Sequence, residues 1–245
     1  MISIFSWVKV FKDYATSVSI MDNIILIGTS HISPDSLKEV KKIIESEKPD
    51  FVAIELDKKR LVALMQKGKK KGPGLRDVKR LGFKGWVFGA LGSWVERSLG
   101  KKVGVSPGDE MLTAIRCAAK SGAKVALIDR DIEVTLKRFG KALSWKEKWN
   151  FFVDIIKGIF GFSSFKFDVS KVPSKQIIVK LLEEVKRRYP NIYRVLITER
   201  NVYMVKALTT LAKTHPDAKI VAVVGAGHEQ DIQDLLQKHS DQSKS

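Results

Sequence analysis

One cysteine, Cys117, stands in a chain of 245 residues. That excludes an intramolecular disulfide and a cysteine-rich zinc site. Its neighbours, Ala114-Ile115-Arg116-Cys117-Ala118-Ala119, form a helix-like run, so it reads as a small core residue and not as a nucleophile. Long apolar runs are missing as well. No eighteen consecutive residues are free of charge, so no segment reads as a transmembrane span. The stretch from Met1 to Ile20 carries Lys9, Lys12 and Asp13 and has no clear cleavage site, which argues against a signal peptide. The localisation expected is therefore cytoplasmic, or peripheral to the cytoplasmic membrane face.

Acidic side chains are in deficit: 27 Asp and Glu face 44 Lys and Arg, a formal net charge of +17. Such a balance favours an anionic partner, either nucleic acid or an acidic membrane surface. The basic clusters Lys67-Gly68-Lys69-Lys70-Lys71 and Lys79-Arg80 come without an aromatic RNP strand, a Cys/His finger or a basic zipper, so no specific nucleic-acid binding is expected. A solvated basic surface is the plain alternative. Aromatics concentrate in two segments. Residues 81–95 hold Phe83, Trp86, Phe88 and Trp94, and residues 145–167 hold Trp145, Trp149, Phe151, Phe152, Phe160, Phe162, Phe165 and Phe167 with lysines between. Trp and Phe beside Lys is the composition of interfacial helices, and large apolar patches mark interfaces. These segments are expected to pair as a helical excursion over the ligand end of the domain, meeting an anionic membrane surface or forming a homodimer face.

Four apolar runs carry the fold. Asn23-Ile24-Ile25-Leu26-Ile27 leads into Gly28-Thr29-Ser30-His31, and Ile220-Val221-Ala222-Val223-Val224 leads into Gly225-Ala226-Gly227-His228. Phe51-Val52-Ala53-Ile54 ends in Glu55-Leu56-Asp57, and Lys124-Val125-Ala126-Leu127-Ile128 ends in Asp129-Arg130-Asp131. Each reads as a buried parallel strand, with each Gly-x-x-His as the turn leaving it. Helical periodicity fills the intervals: 34–47, a helix from Asp57, one opening near Ser106-Pro107-Gly108-Asp109 with Ser106 or Asp109 as cap, one from Ile132, then 145–160, 173–188, 190–213 and 229–238. In the helix around Glu199-Arg200-Asn201, Val195, Val202, Val205 and Leu208 are expected to face the core. The fold expected is α/β: an open, mainly parallel sheet flanked by helices. A single domain spans 1–245, with core units 23–66, 105–140 and 190–238, helical insertions 75–104 and 141–170, and a frayed polar tail 239–245.

In open α/β sheets, ligands bind outside the carboxyl ends of the strands. Two of the four histidines, His31 and His228, fall there with Glu55 and Asp129, whereas His215 sits in a turn and His239 near the terminus. The plain reading of Asp57 and Asp129 is helix capping, and that of Gly28, Gly225 and Gly227 is tight turns. A shared site explains all four strand ends together. His31, His228 and Glu55 supply two nitrogens and one oxygen for a divalent ion, with Glu110 or Asp129 as a fourth group. Spacing does not decide among zinc, manganese and cobalt; a carboxylate-rich site favours manganese and a histidine-dominated one suits zinc. A metal-free site uses the same groups, with a histidine as general base oriented by Glu55 or Asp129. Arg60, Arg130 or Arg200 then holds a substrate carboxylate or an oxyanion. The candidate catalytic set is His31, Glu55, Arg60, Glu199 and Arg200. The candidate substrate-binding set is Ser30, Glu110, Arg130, Gly225 and Gly227. The metal set is His31, Glu55, His228 and Asp129. Ser30 lacks a nucleophile elbow, and Gly225-Ala226-Gly227 lacks the rest of a dinucleotide fingerprint. A buried Arg200 requires an acidic partner or an anionic ligand.

Taken in order, Ile27-Gly28-Thr29-Ser30-His31, Val52-Ala53-Ile54-Glu55-Leu56-Asp57 with Arg60, Pro107-Gly108-Asp109-Glu110-Met111, Leu127-Ile128-Asp129-Arg130-Asp131-Ile132 with Thr135 and Arg138, Thr198-Glu199-Arg200-Asn201 and Val223-Val224-Gly225-Ala226-Gly227-His228 resemble the TraB/PrgY family. Its superfamily includes Tiki-type proteases, erythromycin esterases and ChaN-like proteins. The Tiki relatives look like metal-dependent proteases, the esterases use the first motif histidine to activate water, and PrgY-type relatives bind or degrade a peptide pheromone. The resemblance thus implies a metal-assisted hydrolase of peptide or related acyl substrates. The alternative is a non-catalytic peptide- or anion-binding, sequestering module. Many members also carry carboxyl-terminal membrane helices.

Overall fold

A computed structural model describes residues 19–21, 23–29, 34–66, 108–159 and 175–244. Its strands are β1 (Ser19–Met21), β2 (Ile24–Thr29), β3 (Phe51–Ile54), β4 (Lys124–Leu127) and β5 (Ile220–Gly225). They lie side by side in the order β1-β2-β5-β3-β4. β2, β5, β3 and β4 are parallel, and β1 pairs antiparallel with β2. The helices are α1 (Pro34–Glu47), α2 (Lys58–Met65), α3 (Asp109–Ser121), α4 (Ile132–Ala142), α5 (Trp145–Ile159), α6 (Lys175–Arg188), α7 (Pro190–Tyr193), α8 (Glu199–Thr214) and α9 (Ala226–Lys244). A π-helical turn, Arg194–Thr198, joins α7 to α8.

Unbroken β-branched runs make strands that are buried on both faces, and β2 and β5 are buried throughout. Side chains alternate across the sheet. Ile24, Leu26, Ala53, Ala222 and Val224 pack with Met204, Val205 and Leu208 of α8 and with Ile232 and Leu236 of α9. Ile25, Ile27, Val52, Ile54, Val221 and Val223 pack on the opposite side with Val40 and Ile44 of α1 and with Met111, Ala114, Cys117 and Ala118 of α3. Cys117 is a core residue, as its setting predicted. The expected open, mainly parallel sheet between helical layers is what the chain forms.

Several local expectations need correction. β4 is not a buried strand: it takes the outer position of the sheet, where Lys124 and Val125 are exposed. β1 went unread because three residues, Ser19-Ile20-Met21, acquire strand geometry only by pairing with β2. α3 is capped by neither Ser106 nor Asp109. Its N-cap is Gly108 at φ +87°, where a Cβ would meet Leu64 Cδ2 at 2.6 Å. α9 begins at Ala226, so no turn follows β5, and it runs to Lys244 through the stretch read as a tail. Its core contacts at Ile232 and Leu236 nucleate a helix that the polar residues beyond then extend. On α8, Val202 is 54% exposed and Asn201 and Met204 are buried in its place. The π turn is the cause: Glu199 N–H reaches back five residues to Arg194 O, which rotates every later position.

The segment 75–104 lies outside the described residues, so its pairing with 145–167 does too. Of the second aromatic segment, α5 is tied to the end of α6 and the start of α7: Asp154 accepts from Arg188 and Tyr189, and Glu147 accepts from Asn191 N at 2.7 Å. Trp145 and Trp149 are exposed. Among the described residues, no helix is long and apolar enough to cross a membrane.

Candidate functional site

The four parallel strands end close together at one edge of the sheet. Thr29 of β2 is in register with Gly225 of β5, and Ile54 of β3 with Val223 of β5 and Leu127 of β4. The residues following β3 and β4 are therefore brought beside the first turn of α9. Glu55 follows β3, Asp129 lies two residues beyond β4, and His228 is the third residue of α9. The π turn delivers Arg200 from the opposite direction, along α8.

Arg200 is the centre of the cluster. Its Nε donates to Asp129 Oδ1 at 3.2 Å and to Oδ2 at 3.1 Å. Its Nη1 donates to Leu196 O at 3.2 Å and to His228 Nε2 at 3.0 Å. Its Nη2 donates to Glu55 Oε1 and Asp129 Oδ2. A guanidinium has five N–H donors, and here each has a protein acceptor. Burial alone would pull the Arg200 pKa down, but the charge of Glu55 and the hydrogen bonds and charge of Asp129 outweigh it and hold the group above its ordinary value. Glu55 Oε2 accepts the Gly225 N–H at 2.6 Å, and Glu55 Oε1 lies 3.4 Å from His228 Nε2. On the far side of His228, Nδ1 meets Asn201 Oδ1 at 2.6 Å, and Asn201 Nδ2 donates to Asp231 Oδ2 at 3.0 Å.

Arg60 joins the same centre from α2. It donates to Asp129 Oδ2, and its Nε donates to Asp57 Oδ2 at 2.7 Å. Asp57 is also the expected cap, accepting from Lys59 N at 2.8 Å and Arg60 N at 3.2 Å. Asp129 is not a cap: that task falls to Asp131, which accepts from Glu133 N at 2.7 Å. Side-chain exposure grades outward, from 0% at Asp129 and 5% at Glu55 through 14% at Arg200 to 27% at Arg60.

The remaining predicted residues distribute as follows. His31 and Ser30 lie outside the described residues. Glu199 makes a separate cluster, accepting from Arg138 at 2.7 and 2.9 Å and from Arg130 at 3.1 Å. Arg130 touches the centre only through its backbone, whose N–H donates to Asp129 Oδ1 at 2.6 Å. Glu110 is buried in the first turn of α3. Gly227 packs under Leu182: a Cβ there would lie 2.8 Å from Leu182 Cδ1, the end of a flexible side chain. Gly28 serves a close approach: its N–H donates to Glu229 Oε1 at 3.2 Å, and a Cβ would lie 2.0 Å from Glu229 Oε2.

Asn201, Asp231 and Glu229 were missed as site residues. Asn201 had a signal in its place beside Arg200. Asp231 and Glu229 had one in following His228 within a turn of helix. As for a metal, the three described donors Glu55 Oε1, Asp129 Oδ2 and His228 Nε2 are each engaged by the Arg200 guanidinium, and the fourth member of the expected set, His31, lies outside the described residues. As arranged, they do not fit an open metal centre. Among the described residues, no group of three or more His, Cys, Asp or Glu side chains is set to hold an ion.

The profile of the TraB/PrgY/gumN family matches residues 16–243. The uncharacterized protein MJ1365 of Methanocaldococcus jannaschii is 37% identical over 220 residues, covering 88% of this chain and 54% of that protein. The TraB domain-containing proteins of mouse and human are each 28% identical over 233 residues, covering 84% of this chain and 60% of theirs. The chain thus spans a little over half the length of these relatives.

Proposed function

The chain belongs to the TraB/PrgY/gumN family, and from that premise we propose that it hydrolyses peptide or related acyl substrates at the carboxyl ends of β3 and β5. The observation that carries this reading is the convergence of Glu55, Asp129, Arg200 and His228 from four separate stretches of chain. An ion-pair cluster serving stability alone needs no imidazole, yet one ring nitrogen of His228 faces both a carboxylate and a guanidinium. His228 Nε2 is the general base: when Arg200 Nη1 gives up its hydrogen bond to the ring, the freed lone pair takes a proton from water as the water oxygen adds to the acyl carbon. The new Nε2–H faces Glu55 Oε1, whose negative charge stabilises the imidazolium. Collapse breaks the acyl bond, and the proton passes to the leaving amine or alcohol. Arg200 positions these groups, its donors being spent within the protein. Arg60, at the rim, is the cation available to a substrate carboxylate.

The test is hydrolysis of a peptide library by the chain, followed by mass spectrometry, with chelator and with added manganese, cobalt or zinc. Turnover that survives chelation and falls about 10²–10⁴-fold in His228→Ala and Glu55→Gln is expected. Turnover that requires a divalent ion replaces the general-base chemistry with the metal-assisted form on His31, Glu55, His228 and Asp129. Peptide binding without turnover, unchanged in His228→Ala, leaves the sequestering reading.

A further inference from the structure

The far side of His228 holds a device that the hydrolytic reading does not use. Asn201 is 1% exposed and His228 5%, so Nδ1 and the amide rely on protein partners for their hydrogen bonds. Asp231, a carboxylate, only accepts hydrogen bonds. The Asn201 atom 3.0 Å from Asp231 Oδ2 must therefore be the amide nitrogen, which directs Oδ1 at the histidine. That oxygen also only accepts, so His228 Nδ1, 2.6 Å away, must carry the proton. At the other end of the ring, Arg200 only donates, so Nε2, at 3.0 Å, must present its lone pair. Asn201 and Arg200 thus require the same state, neutral imidazole protonated on Nδ1 and basic on Nε2, and the Arg200 donor lies nearer to Nε2 than the Glu55 Oε1 acceptor at 3.4 Å. Tyr193 adds the last link, its hydroxyl donating to Asp231 Oδ2 at 3.3 Å. Burial, and then the charge of Asp231, push the Tyr193 pKa up, so the hydroxyl keeps its proton.

We infer that Asn201, held by Asp231 and Tyr193, is a positioning residue that locks His228 in the Nδ1–H tautomer and leaves Nε2 as the reactive nitrogen. The hydrogen-bond assignment stands on the geometry. Its consequence for turnover rests on the hydrolytic reading above. The order along α8 and α9 explains how the lock is built: Asn201 follows Arg200 directly, so one turn of α8 addresses both ends of the imidazole, and Asp231 lies three residues beyond His228 on α9.

The tautomer is read directly by long-range proton–nitrogen NMR of the histidine-labelled chain, which has four histidines to resolve. His228→Ala identifies the signal. In the unsubstituted chain, His228 should show a protonated Nδ1 and an unprotonated Nε2, and the reverse pattern overturns the inference. Asn201→Leu should abolish the Nδ1–H preference and lower turnover by about 10–100-fold, the range found for residues that orient a ligating or catalytic histidine. The exchange Asn201→Asp with Asp231→Asn keeps an acceptor facing Nδ1 and a donor between the two positions, so it should restore the tautomer. It also decides the matter if Asn201→Leu does not fold. A preference unchanged in Asn201→Leu, or not restored by the exchange, overturns the lock. Turnover unchanged while the tautomer changes overturns its role in turnover. A chain with the expected tautomer and no hydrolysis of any substrate supports the lock and defeats the hydrolytic reading alone.

Discussion

Glu199 and Arg200 are adjacent in the chain and build opposite kinds of cluster. Arg200 is a buried cation enclosed by two carboxylates, an imidazole and a carbonyl. Glu199 is a carboxylate nearer the surface, held by Arg130 and Arg138 with Arg194 at 3.9 Å. The residue types are the same and the charges are reversed, so burial is the variable. In the Arg200 cluster the members have left water and depend on one another, so removing one strands the rest. In the Glu199 cluster Arg138 is 55% exposed, so water can replace it if it is lost. The first arrangement imposes one geometry on its side chains; the second fastens α4 to α8.

The comparison breaks most visibly at Arg200. Arg200→Leu leaves Glu55 buried without a cation and Asp129 with Arg60 alone, and a loss of about 3–5 kcal/mol in urea unfolding is expected. A loss below about 1 kcal/mol would mean that the two carboxylates are hydrated and that the cluster is not a sealed centre. Glu199→Gln should cost only about 1 kcal/mol at neutral pH, and it sharpens the contrast through its pH dependence. Hydrogen bonds from Arg138, followed by those from Arg130, hold the Glu199 pKa below its ordinary value despite the opposing effect of burial. A depressed folded-state pKa contributes stability that is present above the unfolded value, roughly 4.3, and is lost as pH falls through the folded one. The unsubstituted chain should therefore lose more stability than Glu199→Gln between neutral pH and the acid limb. Parallel pH profiles would contradict the assignment. Arg138→Ala is the smallest effect, within about 0.5 kcal/mol, because Arg130 still holds Glu199; a larger loss in thermal unfolding would show that exposure does not discount this pair.

Much of the architecture is legible in the chain because its signals are local. Apolar runs of four to six residues mark β2, β3 and β5, and helical periodicity brackets α1, α5, α6 and α8. The acidic residues at two strand ends and the histidine of the second Gly-x-x-His meet at one end of the sheet. The errors arise where a neighbour decides the outcome. Whether Lys124–Leu127 is central or outermost depends on strand order, to which its own composition is blind. The face of α8 turned on one π-helical turn, since a single added residue carries Asn201 inward and Val202 outward. Gly28 looked like a turn and proved to be the clearance for a carboxylate supplied by α9.

By itself, the sequence determined the α/β class, the strand ends at which charged side chains collect, and the need of Arg200 for an acidic partner. The tertiary structure decided which partner. Glu199 is the acid next to it in the chain, yet helix geometry points neighbouring side chains about 100° apart. Arg200 instead meets Glu55 and Asp129, separated from it by 145 and 71 positions. Those contacts exist because β5 inserts between β2 and β3, and strand order is set by the packing of whole faces and not by any local run.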